Sequence, residues 1–327
     1  MSEHDALDDL LRHAQPRPVP APEDMEASKA AVRKEWHAVT ARRNVRRRSA
    51  QVAIAATVVL GAFIAVSSLQ APTGDPAIVA TIVNSHGPIH VLGDDVERIP
   101  MEDFDNVMLG HTIVTGDNAG LALAWASGGS VRIDARTRVR FDSDESVYVE
   151  EGRVYFDSIS SLAAGIDAGG APGFSMRTAY GELQHIGTQY MAQVDRDTLI
   201  VSVREGRVAV NGRLYEQTIA AGQQGTWAGQ QRPSVLSISR SGPAWEWLAR
   251  TTPPVEVDGK SLHEFLTWVC REMGLELRFE GQAERIAHEA ILKGRIDTIP
   301  AEALRLRLAT AALEWRIEGD VIYISND

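Results

Sequence analysis

Between Arg42 and Leu69 the chain reads RRNVRRR and then SAQVAIAATVVLGAFIAVSSL, with no charge in residues 49–69. A helix rises about 1.5 Å per residue, so about 20 residues cross a hydrocarbon core of about 30 Å. Val52, Ile54, Val58, Val59, Leu60, Phe63, Ile64, Val66 and Leu69 each favour insertion by roughly 0.3–0.6 kcal/mol. A buried helix of a soluble domain is seldom apolar on every side for so long. A cleavable leader does not place nearly fifty residues ahead of its apolar core. The run is therefore expected to be a single transmembrane helix. Arg42, Arg43, Arg46, Arg47 and Arg48 precede it, and no Lys or Arg follows until Arg98. Cationic residues stay on the cytoplasmic side. Their position against the apolar run favours a topological role over a nucleic-acid patch. The expected topology is a single pass through a bacterial inner membrane, with residues 1–48 cytoplasmic and the C-terminal body periplasmic.

The chain has 327 residues, a formal net charge of −11 and one cysteine. That length suggests about two folded domains beyond the anchor. The acidic balance argues against direct nucleic-acid binding. A lone Cys270 permits no intrachain disulfide and reads as a packed thiol.

In the tail, Ser2 can cap a short helix carrying Leu7, Leu10 and Leu11, and Pro16, Pro18, Pro20 and Pro22 enforce an extended linker. Met25, Val32, Trp36 and Val39 then fall on one helical stripe. A tail this short builds no core of its own. The stripe must pack on a partner protein, a second copy or the membrane surface, or else merely extend the anchor helix.

Residues 70–77 form a linker, and from 78 to 228 the pattern changes to period two with frequent Gly and Asp turns. Ile78–Val83, Pro88–Leu92, Leu121–Trp125 and Val139–Phe141 are expected strands. Val131, Ile133 and Ala135 alternate with Arg132, Asp134 and Arg136, which predicts a half-exposed strand. Val149–Phe156 echoes Val203–Val210, each around a Glu-Gly read as a tight turn whose glycine takes positive φ. Two copies suggest stacked, similar β units. The Gly/Ala/Pro loop 163–173 lacks the order of a phosphate cradle.

The run LGHTIVTGDNAGLALAWASGGSVRIDARTRVRF resembles the core of the FecR-type domain of bacterial transmembrane regulators. The matching pieces are Thr115-Gly116-Asp117, Leu121–Trp125, Gly129-Ser130 and Val131–Ile133. Gly187-Thr188, Tyr190–Val194 and the hairpin Val203–Val208 around Gly206 match the later family pattern. The resemblance implies a β-solenoid or sandwich-like domain in a sensor that holds or activates an extracytoplasmic-function sigma factor. It also implies contact with an outer-membrane receptor or other periplasmic protein. The proline-rich tail departs from the family, which usually carries a compact helical domain there.

Residues 229–244 read as a polar hinge. In 245–327, Trp245 and Trp247 read as a domain-joining contact, with a ligand-stacking site as the alternative, Ser261 and Glu264 as a capping box, and Gly274 as a helix-ending glycine. Pro300 fits the first turn of a second helix. The expected order is β-α-β-β-α-β-β, an α+β module similar to the short N-terminal module of secretins and TonB-dependent transducers. The whole is mainly β, with a short helical tail, one membrane helix and this terminal module.

No catalytic motif is present, and no cofactor or metal site is expected. His86 and His90, four apart on a strand, are about 13 Å from each other unless Gly87-Pro88 turns the chain. The reading is a non-enzymatic anti-sigma or sigma regulator. A periplasmic scaffold or protein-binding module without a transcriptional role is the alternative.

Overall fold

The computed structural model describes Lys29 and residues 77–93, 98–100, 105–158, 173–212 and 214–326. Outside them lie the stripe Met25, Val32, Trp36 and Val39, the arginines 42, 43, 46, 47 and 48, the span 49–69 and nearly all of loop 163–173. Among the described residues no helix is long and apolar enough to cross a membrane.

Fifteen strands form one connected sheet. They are β1 (Ile78–His86), β2 (Ile89–Leu92), β3 (Arg98–Pro100), β4 (Asn106–Met108), β5 (Thr112–Thr115), β6 (Gly120–Trp125), β7 (Ser130–Ile133) and β8 (Arg138–Ser143). There follow β9 (Ser146–Asp157), β10 (Ser175–Thr178), β11 (Gly181–Asp195), β12 (Thr198–Gly212), β13 (Glu216–Ala220), β14 (Gln223–Ala228) and β15 (Ser234–Ser237). Three of them are long and change partners midway. The first half of β9 pairs with β8 and β10, and its second half with β7 and β11. The first half of β11 pairs with β10 and its second with β9. The first half of β12 pairs with β14 and its second with β13. The long strands thus link two sets of partner strands, and one apolar core gathers residues of both.

Glycines sit where the partners change. Gly152, Gly187 and Gly206 have φ of 94°, 57° and 74°, and the ladder slips at Ile186–Gln189 and at Arg138–Val139. An extra residue in a strand reverses which side chains face inward. Each strand shows that reversal. Val147 and Val149 are buried in the core before the bend in β9, then Val154 and Phe156 after it. In β11 it is Leu183, then Tyr190, Ala192 and Val194; in β12 it is Leu199, Val201 and Val203, then Val208 and Val210. The Glu-Gly pairs expected as turns are therefore bends within continuous strands, and Gly187, Thr188 and Gly206 lie at those bends. The positive φ expected of the echo glycines, Gly152 and Gly206, is present. Gly116 and Asp117 do lie in a turn, between β5 and β6.

The expected hinge 229–244 contains β15, an edge strand paired with β14, and ends in a single 3-10 turn at Pro243–Trp245. Beyond it come α1 (Trp247–Thr251), β16 (Val255–Glu256), α2 (Leu262–Met273) and β17 (Glu276–Phe279). The chain closes with α3 (Ala283–Glu289), β18 (Arg295–Ile296), α4 (Pro300–Ala311), β19 (Glu314–Glu318) and β20 (Val321–Ser325). The order is thus β-α-β-α-β-α-β-β rather than the expected β-α-β-β-α-β-β. The added element is α3, and β18, which follows it, is only two residues long. α2 starts on the expected capping box, with Ser261 accepting from the Glu264 amide and Glu264 accepting from the Ser261 amide at 2.8 Å. It ends on Gly274 in the left-handed region. The module has its own core, built on Leu262, Phe265, Leu266, Val269, Leu304 and Leu308.

Candidate functional site

A second set of side chains lies on the faces of β7, β9, β11 and β12 that point away from the sheet's core: Arg132, Tyr155, Asp157, Gln189, Met191 and Arg204. All six are buried. Burial of charge on an outer face needs a cover, and the C-terminal module supplies it through residues 243–251 and the end of α2.

The apolar part of this seam is a small cluster of Tyr155, Met191, Trp245, Trp247 and Leu248, with Ile238 packed against it. The Trp245 ring meets Tyr155 edge-on at 6.4 Å, and the Trp247 indole N–H points at the Met191 sulfur at 3.4 Å. The two indoles join the β domain to the module, as their spacing suggested.

Around the cluster run three guanidiniums and three carboxylates. Arg132 Nη2 donates to Glu272 Oε1 at 2.8 Å, and Nη1 lies 2.7 Å from Oε2. Both side chains are about 5% exposed or less (4% and 5%). Burial would push the Arg132 guanidinium down, but the Glu272 carboxylate outweighs it and holds it above its ordinary value. Arg271 grips Asp157 with Nε and Nη2, and its Nη1 donates to Glu205 Oε2 at 2.7 Å. Burial opposes that charge too, and the Asp157 and then the Glu205 carboxylates raise it. Gln189 Nε2 adds a bond to Asp157 at 2.9 Å.

Arg204 is held differently. Its Nε donates to the Arg240 carbonyl at 2.7 Å and its Nη1 to the Glu272 carbonyl at 3.0 Å. The guanidinium lies 4.4 Å from the Trp245 ring centroid. Burial lowers its pKa, with Tyr155 and Glu272 pulling the other way. An arginine starts so high that it remains charged.

A last clasp closes the seam's rim. Asp320, in the turn between β19 and β20, accepts from Ser239 Oγ, Ser241 Oγ, and the amides of Arg240 and Ser241 at 2.5–3.0 Å. The expected hinge is therefore tied at both ends, by β15 to the sheet and by Asp320 to the module.

The half-exposed reading of Arg132 and Asp134 is overturned: both are 3% exposed. Asp134 pairs with Arg153, and Arg153 lies 5.5 Å from the Trp247 ring. Alternating Arg and Asp reads as solvent exposure when the covering module is more than a hundred residues away. No local signal in the sequence marks them, since their partners are remote in the chain. Among the sequence-predicted positions, Gly187, Thr188 and Gly206 border the seam, since Thr188 adjoins Gln189 and Gly206 adjoins Glu205. Gly116 and Asp117 are not part of it. Cys270 is buried on α2, and burial pushes its thiol up to about 12, which leaves it unreactive at neutral pH.

This arrangement presents no nucleophile beside a base. It is a lock that fixes one module on another. Residues 111–209, from the start of β5 to the outer part of β12, match the family model described as FecR protein. This stretch is a FecR-type domain. It contributes Arg132, Asp157, Gln189, Arg204 and Glu205 to the seam; Arg271 and Glu272 lie beyond the match. Two crystal structures of a candidate anti-sigma factor from Parabacteroides distasonis are similar to the chain at 17% and 16% identity. Each covers 66% of this chain, and 99% and 98% of their own, both with a TM-score of 0.34. A structure described as a cell surface anchoring domain is 20% identical over 20% of this chain and 87% of its own, with a TM-score of 0.19. No protein of curated function matches the chain.

Proposed function

We propose that the chain is a single-pass inner-membrane regulator of an extracytoplasmic-function sigma factor. Residues 1–48 face the cytoplasm and bind the sigma factor through Met25, Val32, Trp36 and Val39. Residues 49–69 span the membrane, oriented by the arginines at 42, 43, 46, 47 and 48. The body from residue 78 onward meets an outer-membrane receptor or another periplasmic protein and changes what the tail presents. The observation that carries this reading is one chain order: an arginine-flanked apolar run followed by a FecR-type domain. The terminal module, resembling the short module of secretins and TonB-dependent transducers, would be the receptor-facing part.

Two measurements test it. Reporter fusions at residues 40 and 80 should read cytoplasmic and periplasmic; both on one side would overturn the topology. Pull-down of the host's sigma factors with residues 1–48, and transcript changes on deleting those residues, should both be positive. If deleting residues 1–40 is silent while deleting 245–327 impairs the envelope, the protein is a periplasmic scaffold instead.

A further inference from the structure

Away from the seam, the module's helices bring together three metal-ligating side chains that no part of the regulatory reading uses. Glu284 and His288 stand four apart on α3, so they share one face of the helix. His263, in the first turn of α2, faces them. One ligand atom from each of the three lies within 4.8 Å of the others. The His263 and His288 rings stack at 4.0 Å with planes 13° apart, and Phe279 backs His263 at 5.5 Å.

Two imidazoles and a carboxylate are the donor set that suits zinc, whose ligand bonds of about 2.0–2.2 Å put tetrahedral ligand atoms about 3.4 Å apart. Imidazole lone pairs lie in the ring plane, so the two stacked rings must turn out of parallel to meet one ion. Glu284 and His288 are exposed and His263 half-buried, which leaves room for that rotation. Oxygen-only cations such as calcium and magnesium match the set poorly. We propose that His263, Glu284 and His288 form a zinc-class divalent cation site that ties α2 to α3, with water completing the coordination.

The bound ion would brace a short helix. α3 has no side-chain cap and only Ala283 and Ala287 buried. A metal bridge to α2 would add the constraint that packing there lacks.

The test is zinc titration of the purified full-length chain by calorimetry, with cobalt substitution followed by visible absorption. One zinc per chain is expected, with the cobalt form giving the intense bands of low coordination number. His288→Ala and Glu284→Gln, both at exposed positions, should each weaken that binding event at least tenfold and abolish the zinc-dependent rise in melting temperature. His263→Gln should do the same, with circular dichroism confirming the fold. Absence of saturable zinc binding, or binding unchanged in His288→Ala and Glu284→Gln, would overturn the proposal.

Discussion

Replacing Glu272 by Ala removes the carboxylate that neutralises Arg132 and touches little else. The Glu272 carbonyl that receives Arg204 survives the change. Arg132 would keep two long hydrogen bonds, to the Leu248 carbonyl at 3.4 Å and to Thr252 Oγ1 at 3.5 Å, and the Tyr155 ring 5.8 Å away. Its Nε already has no partner. Breaking a buried ion pair by deleting one member costs about 3–5 kcal/mol, because the other charge is left without compensation. Asp157 still exerts a weak pull on Arg132, which favours the lower end of that range. With a urea m value of about 2 kcal/mol/M, a loss of about 3 kcal/mol lowers the midpoint by about 1.5 M. Tryptophan fluorescence should report the change first, since Trp245 and Trp247 sit in the seam. The control is Arg132→Met with Glu272→Leu, which swaps the pair for apolar groups of similar volume. It should fall within about 1 kcal/mol of the parent or exceed it. A Glu272→Ala midpoint within about 0.3 M of the parent would refute the reasoning. So would a double variant as weak as the single one.

The bends, the rim clasp and the helix cap give three further expectations. Gly206→Ala should destabilise far more than Gly187→Ala: both have positive φ, but a Cβ on Gly206 would meet the Gly187 carbonyl oxygen at 2.3 Å, whereas Gly187 faces open space. The left-handed conformation alone costs about 1–2 kcal/mol, so equal urea midpoints would refute the close approach. Asp320 is partly buried, which raises its pKa, but bonds from Ser239 and Ser241 and the Arg240 and Ser241 amides bring it down to about 2. Its folded value is below its unfolded value of about 3.9, so its contribution is complete above that value and disappears as pH falls toward 2. Asp320→Asn should therefore flatten the acid loss of stability between about pH 4 and pH 2; an unchanged acid limb would rule the clasp out. Ser261→Ala should lower stability by about 1 kcal/mol through loss of the α2 cap, read as a shift in melting temperature.

What could be read from the sequence was local. Strands with one-faced alternation, the Ser261–Glu264 box, Gly274, Pro300 and the terminal hairpin each declare themselves within a few residues. The misses share a cause. α3 is seven residues long with no side-chain cap, so neither period nor punctuation marks it. The bend glycines look like turn glycines, because both need positive φ; what separates them is the partner strand, which lies elsewhere in the chain. Arg132 and Glu272 are 140 positions apart, and no pattern around either names the other. A charged residue in an alternating strand reads as exposed by default. Only the covering module makes it a core residue.

The seam divides its labour between two kinds of interaction. Replacing a buried ion pair by apolar groups is often neutral, so the net stabilisation comes mainly from burying Tyr155, Met191, Trp245, Trp247 and Leu248. What the charges add is geometry. A two-pronged guanidinium–carboxylate contact satisfies its donors in one orientation, and the seam has two, Arg132 on Glu272 and Arg271 on Asp157, with opposite polarity across the interface. Sliding α2 along the sheet would place like charges opposite each other. An apolar contact alone would tolerate that slide. The segment 229–244 cannot absorb it either, being paired to β14 on one side and held by Asp320 on the other. A displacement of the module would therefore be passed to β7, β9, β11 and β12 directly. The apolar double variant would keep its stability while losing this fixed alignment, which separates the two contributions.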